Sequence, residues 1–303
     1  MSYSPSPVRN VIIFGSTGCG KSSIVNMLLG RNEAEISNGA KGCTFDHHAY
    51  TAILDGNTYQ LYDTNGLDEG NMGSTGAKEA LVGLYHLLRD LQDGVTLLVY
   101  CMRGPRVTES LQRNYDVFYD GFCRKSVPIV MVVTGLENQL PNMETWWNES
   151  DNRKTFAAYN MQFHGHACIT ATPGKMGKNG TCRNQVEYDE SCKKLRKLVA
   201  ESCKDVSPWS LQTSSWFVSI MKWFHRNLPA WIDDHFDPRL GGLYDALRPY
   251  ISEKEAKEIA RRADAASSRQ ELQQITRRAD SDAASSYARP EVADTRRLIG
   301  KPE

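Results

Sequence analysis

The chain has 303 residues, and its 36 Lys+Arg balance 36 Asp+Glu, so it carries no formal net charge. It is 40% hydrophobic and 24% charged, an ordinary balance for a soluble protein. The length predicts one large domain with appendages or two small domains. The absence of a basic excess argues against a dedicated nucleic-acid binder. No apolar run is long enough to predict a transmembrane helix. The N-terminus lacks the apolar stretch of a signal peptide and the cysteines lack C-x-x-C spacing, so we expect a cytoplasmic protein with reduced thiols.

Apolar runs and helical patterns alternate along residues 8–204. Strands are predicted at Val8–Phe14, Ala49–Leu54, Thr58–Tyr62, Val95–Cys101, Val127–Thr134 and His166–Ala171. Helices are predicted at 22–29, 76–92, 108–123 and 185–204. The alternation predicts an α/β fold with a mostly parallel central sheet and helices on both faces. The hairpin signal Asp55-Gly56-Asn57 adds one antiparallel edge strand.

The composition divides the chain into four parts. Residues 1–7 are predicted to be a flexible lead, 8–204 the α/β domain, 205–250 an aromatic-rich helical extension, and 251–303 a charged tail that is helical or disordered. Four tryptophans of the extension are spaced 7, 7 and 8 residues apart, which predicts one helical stripe of Trp209, Trp216, Trp223 and Trp231. We expect this stripe to dock on the α/β domain. Contact of 209–231 with a membrane or a protein partner is the alternative, and it would make the protein peripheral to the membrane.

A phosphate-binding loop follows the first predicted strand. Residues 15–22 read G-S-T-G-C-G-K-S and match G-x-x-x-x-G-K-S/T between a strand and a helix. The glycines let backbone N–H groups approach phosphate, and the helix N-terminus adds partial positive charge. Lys21 would neutralise phosphate oxygens, and Ser22 would bind Mg²⁺. The predicted nucleotide-binding residues of this loop are Gly15, Ser16, Thr17, Gly18, Cys19, Gly20, Lys21, Ser22 and Ser23.

A second motif, D-x-x-G at residues 63–66, lies 48 residues beyond Gly15, an interval usual for small GTPases. Asp63 would hold Mg²⁺ through water, and the Gly66 N–H would approach the γ-phosphate. Thr44, in the preceding polar loop, is the candidate switch threonine. The predicted metal ligands are therefore Ser22, Thr44 and Asp63, and the predicted catalytic residues are Lys21, Thr44 and Gly66.

Leu67 occupies the position where Ras-like enzymes have a glutamine that orients the attacking water. The leucine side chain cannot form a hydrogen bond with water, so we expect slow intrinsic hydrolysis of GTP unless another residue or a partner orients the water. The candidate donors are Glu69, Arg103, Arg106 and the pair His47-His48. The histidines also fit an ordinary position at a strand edge.

The segment Thr134-Gly135-Leu136-Glu137 follows a buried strand, where GTPases usually have N/T-K-x-D. The Glu137 carboxylate can accept hydrogen bonds from N1–H and N2–H₂ of guanine, a pair that adenine does not offer; a loop acid that caps a helix is the alternative. Gly135 replaces the lysine whose aliphatic stem usually covers the base. We therefore expect either a lower affinity for the nucleotide or another group that stacks on the base. Thr170 and Ala171 follow the last strand, where a backbone amide contacts the guanine carbonyl.

Alternating His164, His166 and Cys168 have a spacing that could bind a metal ion from one face of a strand. The same stretch leads into the expected base-binding loop, so we favour ordinary strand residues.

These motifs together resemble the GIMAP-like (immune-associated nucleotide-binding) GTPases of the septin–Toc branch, and among them the fungal G domain-containing proteins with a T-G-L-E variant. The resemblance covers about residues 8–204 and rests on Gly15–Ser23, Gly42-Cys43-Thr44, Asp63–Leu67 and Asp93–Ser110. It implies a P-loop G domain that binds GTP/GDP with Mg²⁺, low monomeric turnover, homodimerisation, and work as a scaffold, often at membranes. Asn65, Gly135 and Glu137 depart from the family pattern.

Three functions compete at this point. The first is a regulatory GTPase with slow hydrolysis, stimulated by dimerisation or a partner. The second is a scaffold that binds nucleotide without hydrolysing it. Leu67 is the sequence feature that supports this hypothesis. The third is an ATP-using P-loop enzyme, which the D-x-x-G motif and the lack of an Arg-rich lid disfavour.

Overall fold

The computed structural model describes residues 8–34, 47–64, 86–104, 109–178 and 180–211, with the separate positions 84, 216, 219, 220, 223, 226, 253, 254 and 257. These residues form a six-stranded sheet. Its strands are β1 Arg9–Phe14, β2 His47–Leu54, β3 Asn57–Thr64, β4 Leu97–Arg103, β5 Ile129–Thr134 and β6 Gly165–Cys168. The strand order is β2-β3-β1-β4-β5-β6.

Only the pairing of β2 with β3 is antiparallel, and all other neighbours in this sheet are parallel. The predicted α/β fold with one antiparallel edge strand is therefore confirmed. The strand predicted from Val95 begins two residues later, at Leu97, because Val95 instead forms an isolated bridge with Trp209. In that bridge the Val95 N–H donates to the Trp209 carbonyl at 2.8 Å, and the Trp209 N–H donates back at 2.9 Å.

Five α-helices are described in full: α1 Lys21–Leu29, α2 Glu109–Tyr115, α3 Glu144–Asn148, α4 Ser150–Ala158 and α5 Gln185–Ser202. Of the helix predicted at 76–92, only 84 and 86–90 lie among the described helical residues. The prediction at 108–123 is confirmed as helical, but after α2 it continues as a π-helix, Asp116–Phe122. Helices α3 and α4 were not predicted, since their sequence is polar and has few apolar positions. Trp146 and Phe156 hold them to the core.

Two apolar cores lie on opposite faces of the sheet. Side chains alternate along β1, so Ile12 and Phe14 enter one core while Val11 and Ile13 enter the other. Strands buried on both faces appear in sequence as continuous apolar runs, which is why β1, β4 and β5 could be predicted. This packing fixes the parallel strands, so the loops at their carboxyl ends meet at one edge.

The extension does not begin as predicted. The expected helical stripe is wrong at Trp209, which lies in the extended bridge to Val95. Trp216 is helical and 1% exposed, and its Nε1–H donates to the carbonyl of Phe122 at 2.6 Å. Trp223 lies against Gly121, where an added Cβ would stand 2.8 Å from the indole ring.

These contacts support docking of the tryptophans on the α/β domain. Trp231 lies outside the described residues, as does most of 212–303. No helix in the described part of the chain is long and apolar enough to cross a membrane. Contact of 209–231 with a membrane surface or a partner stays a prediction.

Trp216→Ala should lower the free energy of unfolding by about 3–5 kcal/mol, because it removes a buried aromatic side chain and opens a cavity. Trp216→Phe should cost less, since it keeps most of the packing and loses the hydrogen bond to Phe122. Urea unfolding measures both changes. Met176→Ala, at a side chain that is 74% exposed, is the control. Equal stability of Trp216→Ala and the unmodified protein would show that the extension is not docked.

Candidate nucleotide-binding site

The turn between β1 and α1 lies against the end of β4. Gly15 begins the turn with φ +146°, and a Cβ at this position would stand 2.1 Å from the Cys101 carbonyl oxygen. Only glycine permits this approach. Thr17 and Gly18 form the exposed tip of the turn, between half-buried Ser16 and Gly20.

The N-terminus of α1 closes the turn. Its N-cap residue is Gly20, which provides no side-chain cap, so the backbone N–H groups of its first turn, including those of Ser22 and Ser23, have no side-chain acceptor among the described residues. Such N–H groups, together with the helix dipole, bind anions. The sequence motif therefore adopts the backbone geometry that it predicts.

Lys21 folds back over the turn. Its side chain is 8% exposed, and Nζ donates to the carbonyls of Gly15 at 2.9 Å and Ser16 at 3.2 Å. Among the described residues no carboxylate pairs with this ammonium. A nearly buried positive charge that is held only by neutral carbonyls can bind an anion placed in the turn.

Ser22 and Asp63 form the second polar pair of the site. The Ser22 hydroxyl donates to Oδ2 of Asp63 at 2.8 Å, across the gap between α1 and the end of β3. Oδ1 of Asp63 is buried and accepts no hydrogen bond from any described residue. Burial raises the pKa of this carboxyl, while the Ser22 hydroxyl and the Lys21 ammonium oppose the shift.

This donor set fits Mg²⁺, which prefers oxygen ligands and is usually bound by one or two carboxylates together with phosphate and water. Asp63 offers an unpartnered oxygen, and Ser22 offers a hydroxyl beside it. The third predicted ligand, Thr44, lies outside the described residues, and so does Gly66.

Cys19 lies at the back of the turn and is 3% exposed. A hydrogen bond with the Cys101 thiol lowers its pKa, which burial opposes. Its backbone carbonyl accepts a 2.7 Å hydrogen bond from the Thr134 hydroxyl. That bond joins the phosphate-binding turn to the end of β5.

Glu137 lies three residues beyond Thr134, in the loop after β5. Its side chain is half-buried, and Oε2 is buried with no hydrogen-bond donor among the described residues. Since Glu137 caps no described helix, the alternative of a helix-capping acid has no support there. An unpartnered carboxylate oxygen in this loop can accept hydrogen bonds from the N–H groups of a base.

The two residues predicted to contact the base carbonyl differ in whether their backbone N–H groups can donate to a ligand. The Thr170 N–H donates to Oγ of Ser191 at 3.0 Å, and its hydroxyl contacts Sδ of Met143 at 3.2 Å. The N–H of half-buried Ala171 donates to no acceptor within the described part of the chain. Ala171 is therefore the better placed of the pair to donate from its backbone.

The His/Cys stretch makes other contacts. Nε2 of His166 lies 2.9 Å from a carboxylate oxygen of Glu144, and its ring stacks on Trp147 at 4.1 Å. Glu144 also pairs with Lys194 of α5. Cys168 is buried, which raises its pKa to about 12. In the part of the chain that is described, no group of three or more His, Cys, Asp or Glu could hold a metal ion.

Of the candidate water-orienting residues, His48 lies beside the site, since it pairs with Asp63 in the β2–β3 register. His47 instead contacts a carboxylate oxygen of Asp90 at 2.9 Å. Arg103 is exposed at the end of β4. Glu69 and Arg106 lie outside the described residues.

One residue near the site was not predicted. Asn114 of α2 is 1% exposed, and its Nδ2 lies 3.5 Å from Oγ of Ser16. In sequence, a single asparagine within a helical pattern cannot be told from a polar residue on the exposed face of the helix. Its contact with the phosphate-binding turn therefore becomes evident only from the fold.

Comparison with known proteins agrees with this geometry. Residues 10–135 match the family model described as "50S ribosome-binding GTPase". Immune-associated nucleotide-binding protein 10 of Arabidopsis thaliana is 34% identical over 101 residues, which are 32% of this chain and 21% of that protein. The match thus spans about a fifth of the length of the relative.

Solved structures with a similar fold include Toc33 from Arabidopsis thaliana in complex with GDP and Mg²⁺. It is 18% identical, with a TM-score of 0.48 over 68% of this chain and 88% of that one. A point variant of Era from Aquifex aeolicus, bound to GDP and AlF4, is 16% identical, with a TM-score of 0.44 over 71% of this chain and 66% of that one. Residues 10–135 are thus similar to a GTPase domain, and the predicted resemblance to the immune-associated nucleotide-binding GTPases is confirmed over the matched residues.

Proposed function

We propose that this protein is a guanine-nucleotide-dependent switch that hydrolyses GTP slowly with Mg²⁺. The observation that carries the proposal is the polar cradle at the phosphate-binding turn. Among the described residues, the Lys21 ammonium there has only carbonyl partners, and one buried oxygen of Asp63 has no donor.

The phosphates are the first ligand of this cradle. A diphosphate or triphosphate in the turn gives Lys21 a charged acceptor in place of neutral carbonyls, which strengthens its hydrogen bonds. The uncapped N–H groups of α1 face the same anion. Mg²⁺, held by Ser22, Asp63 and Thr44, would neutralise charge on the phosphate oxygens.

The base is the second ligand. Guanine offers two adjacent N–H donors to the Glu137 carboxylate, whereas adenine offers none at those positions. The unpartnered Oε2 of Glu137 supports guanine as the base and disfavours an ATP-using enzyme. A base held this way lies beyond Thr134, whose hydroxyl ties the loop to the turn.

Slow turnover follows from Leu67, which cannot orient the attacking water. We propose that a second copy of this chain or another protein supplies the missing group. Leu67 also favours the second candidate, a scaffold in which GTP is held and never hydrolysed.

Lys21→Ala should raise the Kd for GDP and for GMPPNP at least about 100-fold, because charge-assisted hydrogen bonds contribute about 1.5–3 kcal/mol each. Titration of a fluorescent GDP analogue measures the change. Lys197→Ala, at a side chain of α5 that is 73% exposed, should bind like the unmodified protein. Unchanged affinity in a folded Lys21→Ala variant would contradict phosphate binding in this turn.

Glu137→Ala should reduce the preference for GDP over ADP by about 10–100-fold, the loss expected for a bidentate base contact. Glu137→Gln should move the preference toward xanthosine diphosphate, whose C2 carbonyl can accept from the new amide. Competition against a fluorescent GDP analogue measures both preferences. The control is Glu201→Ala, at a side chain of α5 that is 67% exposed. If Glu137→Ala still prefers GDP as strongly as the unmodified protein does, the base is read elsewhere.

Single-turnover hydrolysis of GTP separates the switch from the scaffold. We expect a slow rate at low protein concentration and a higher rate at high concentration, because a second copy completes the site. A rate that stays at the uncatalysed level at both concentrations would support the scaffold and contradict the switch.

A further inference from the structure

Arg103 packs against the position where a side chain of Gly135 would begin. Gly135 has φ +76°, a conformation that disfavours other residues. A Cβ built on it would stand 3.3 Å from Cγ of Arg103, 3.5 Å from Nε and 3.9 Å from Cζ. The aliphatic stem and the guanidinium of Arg103 therefore both lie beside this residue of the base-reading loop.

The sheet fixes this position. Arg103 is the last residue of β4 and pairs in register with Thr134, the last residue of β5. The following N–H, of Gly104, donates to the Thr134 carbonyl at 2.8 Å. A Cβ on Gly104 would stand 2.7 Å from the Leu136 side chain, so the two loops interlock closely. Arg103 is thus brought to Gly135 by backbone pairing and packing.

The Arg103 side chain is also in a position to contact a ligand. It is exposed, and no described residue forms a hydrogen bond or an ion pair with it. An arginine stem covers apolar surface, and its planar guanidinium stacks on π-faces. A nucleobase that is read at its edge by Glu137 exposes such a face, two residues along the loop from Gly135.

We infer that Arg103 covers one face of the nucleobase and so replaces the lysine that is missing at position 135. The inference rests on the proposed function, because it requires a base at Glu137. It also accounts for glycine at 135: a side chain there would push against the stem of Arg103. Arg103 is on this view a residue for base affinity, not for contact with the phosphates.

The test measures binding of three probes, GDP, GMPPNP and inorganic pyrophosphate, to the full chain with Mg²⁺. Arg103→Ala should raise the Kd for GDP and for GMPPNP by the same factor, about tenfold or more, as expected for one lost base-stacking contact. The Kd for pyrophosphate should stay the same, because pyrophosphate has no base. Arg103→Lys keeps a stem and a charge, so it should retain most of the affinity.

Arg124→Ala is the matched control, because Arg124 is an exposed arginine that precedes β5, at the end of the strand away from Thr134. Thermal melting checks that each variant is folded. Equal Kd for GDP in Arg103→Ala and the unmodified protein would overturn the inference. So would a parallel loss of pyrophosphate binding or a loss limited to GMPPNP, since either result places Arg103 at the phosphates. Failure of the unmodified protein to bind GDP would instead overturn the proposed function.

Discussion

The hydrogen bond from the Thr134 hydroxyl to the Cys19 carbonyl holds the two halves of the site together. It is buried, 2.7 Å long, and joins residues 115 positions apart in the chain. The ribose limits how far the phosphates of a nucleotide can lie from its base, so a protein that binds both must hold its two recognition loops within that distance. The neighbouring strands β1, β4 and β5 set that distance roughly, and this bond joins the two loops directly.

The buried charged groups of the site lower the stability of the folded protein. Burial of Asp63 raises its pKa, and leaving a buried oxygen without a donor costs about 1–3 kcal/mol. Lys21 is similarly buried against carbonyls instead of a carboxylate. Proteins commonly accept such local penalties where a ligand relieves them. The same reasoning applies to Oε2 of Glu137, which is buried with no donor among the described residues. A magnesium nucleotide that contacted all three groups would relieve these penalties.

Much of this arrangement could be predicted from the sequence. The central strands are continuous apolar runs because both of their faces are buried, and the turn at Gly15 requires glycine because its backbone touches Cys101. Other features depend on tertiary contacts that leave no local pattern. Trp209 has helical spacing but forms an isolated antiparallel bridge with Val95. The predicted helix at 108–123 has a periodicity that does not distinguish an α-helix from the π-helix at its end.

The position of Arg103 shows why spacing alone is insufficient. Its contact with Gly135 depends on the register of β4 against β5, which is set by packing across the whole sheet. The sequence indicated only that a lysine was missing from the base loop. The fold shows that the Arg103 side chain lies beside the glycine that stands in its place.

A crystal structure of the full chain with GMPPNP and Mg²⁺ tests the central assignment most directly. We expect the triphosphate in the turn from Gly15 to Ser22, with Lys21 on its oxygens and the guanine edge against Glu137. A turn that stays empty while the analogue binds elsewhere, or a purine bound away from Glu137, would contradict it.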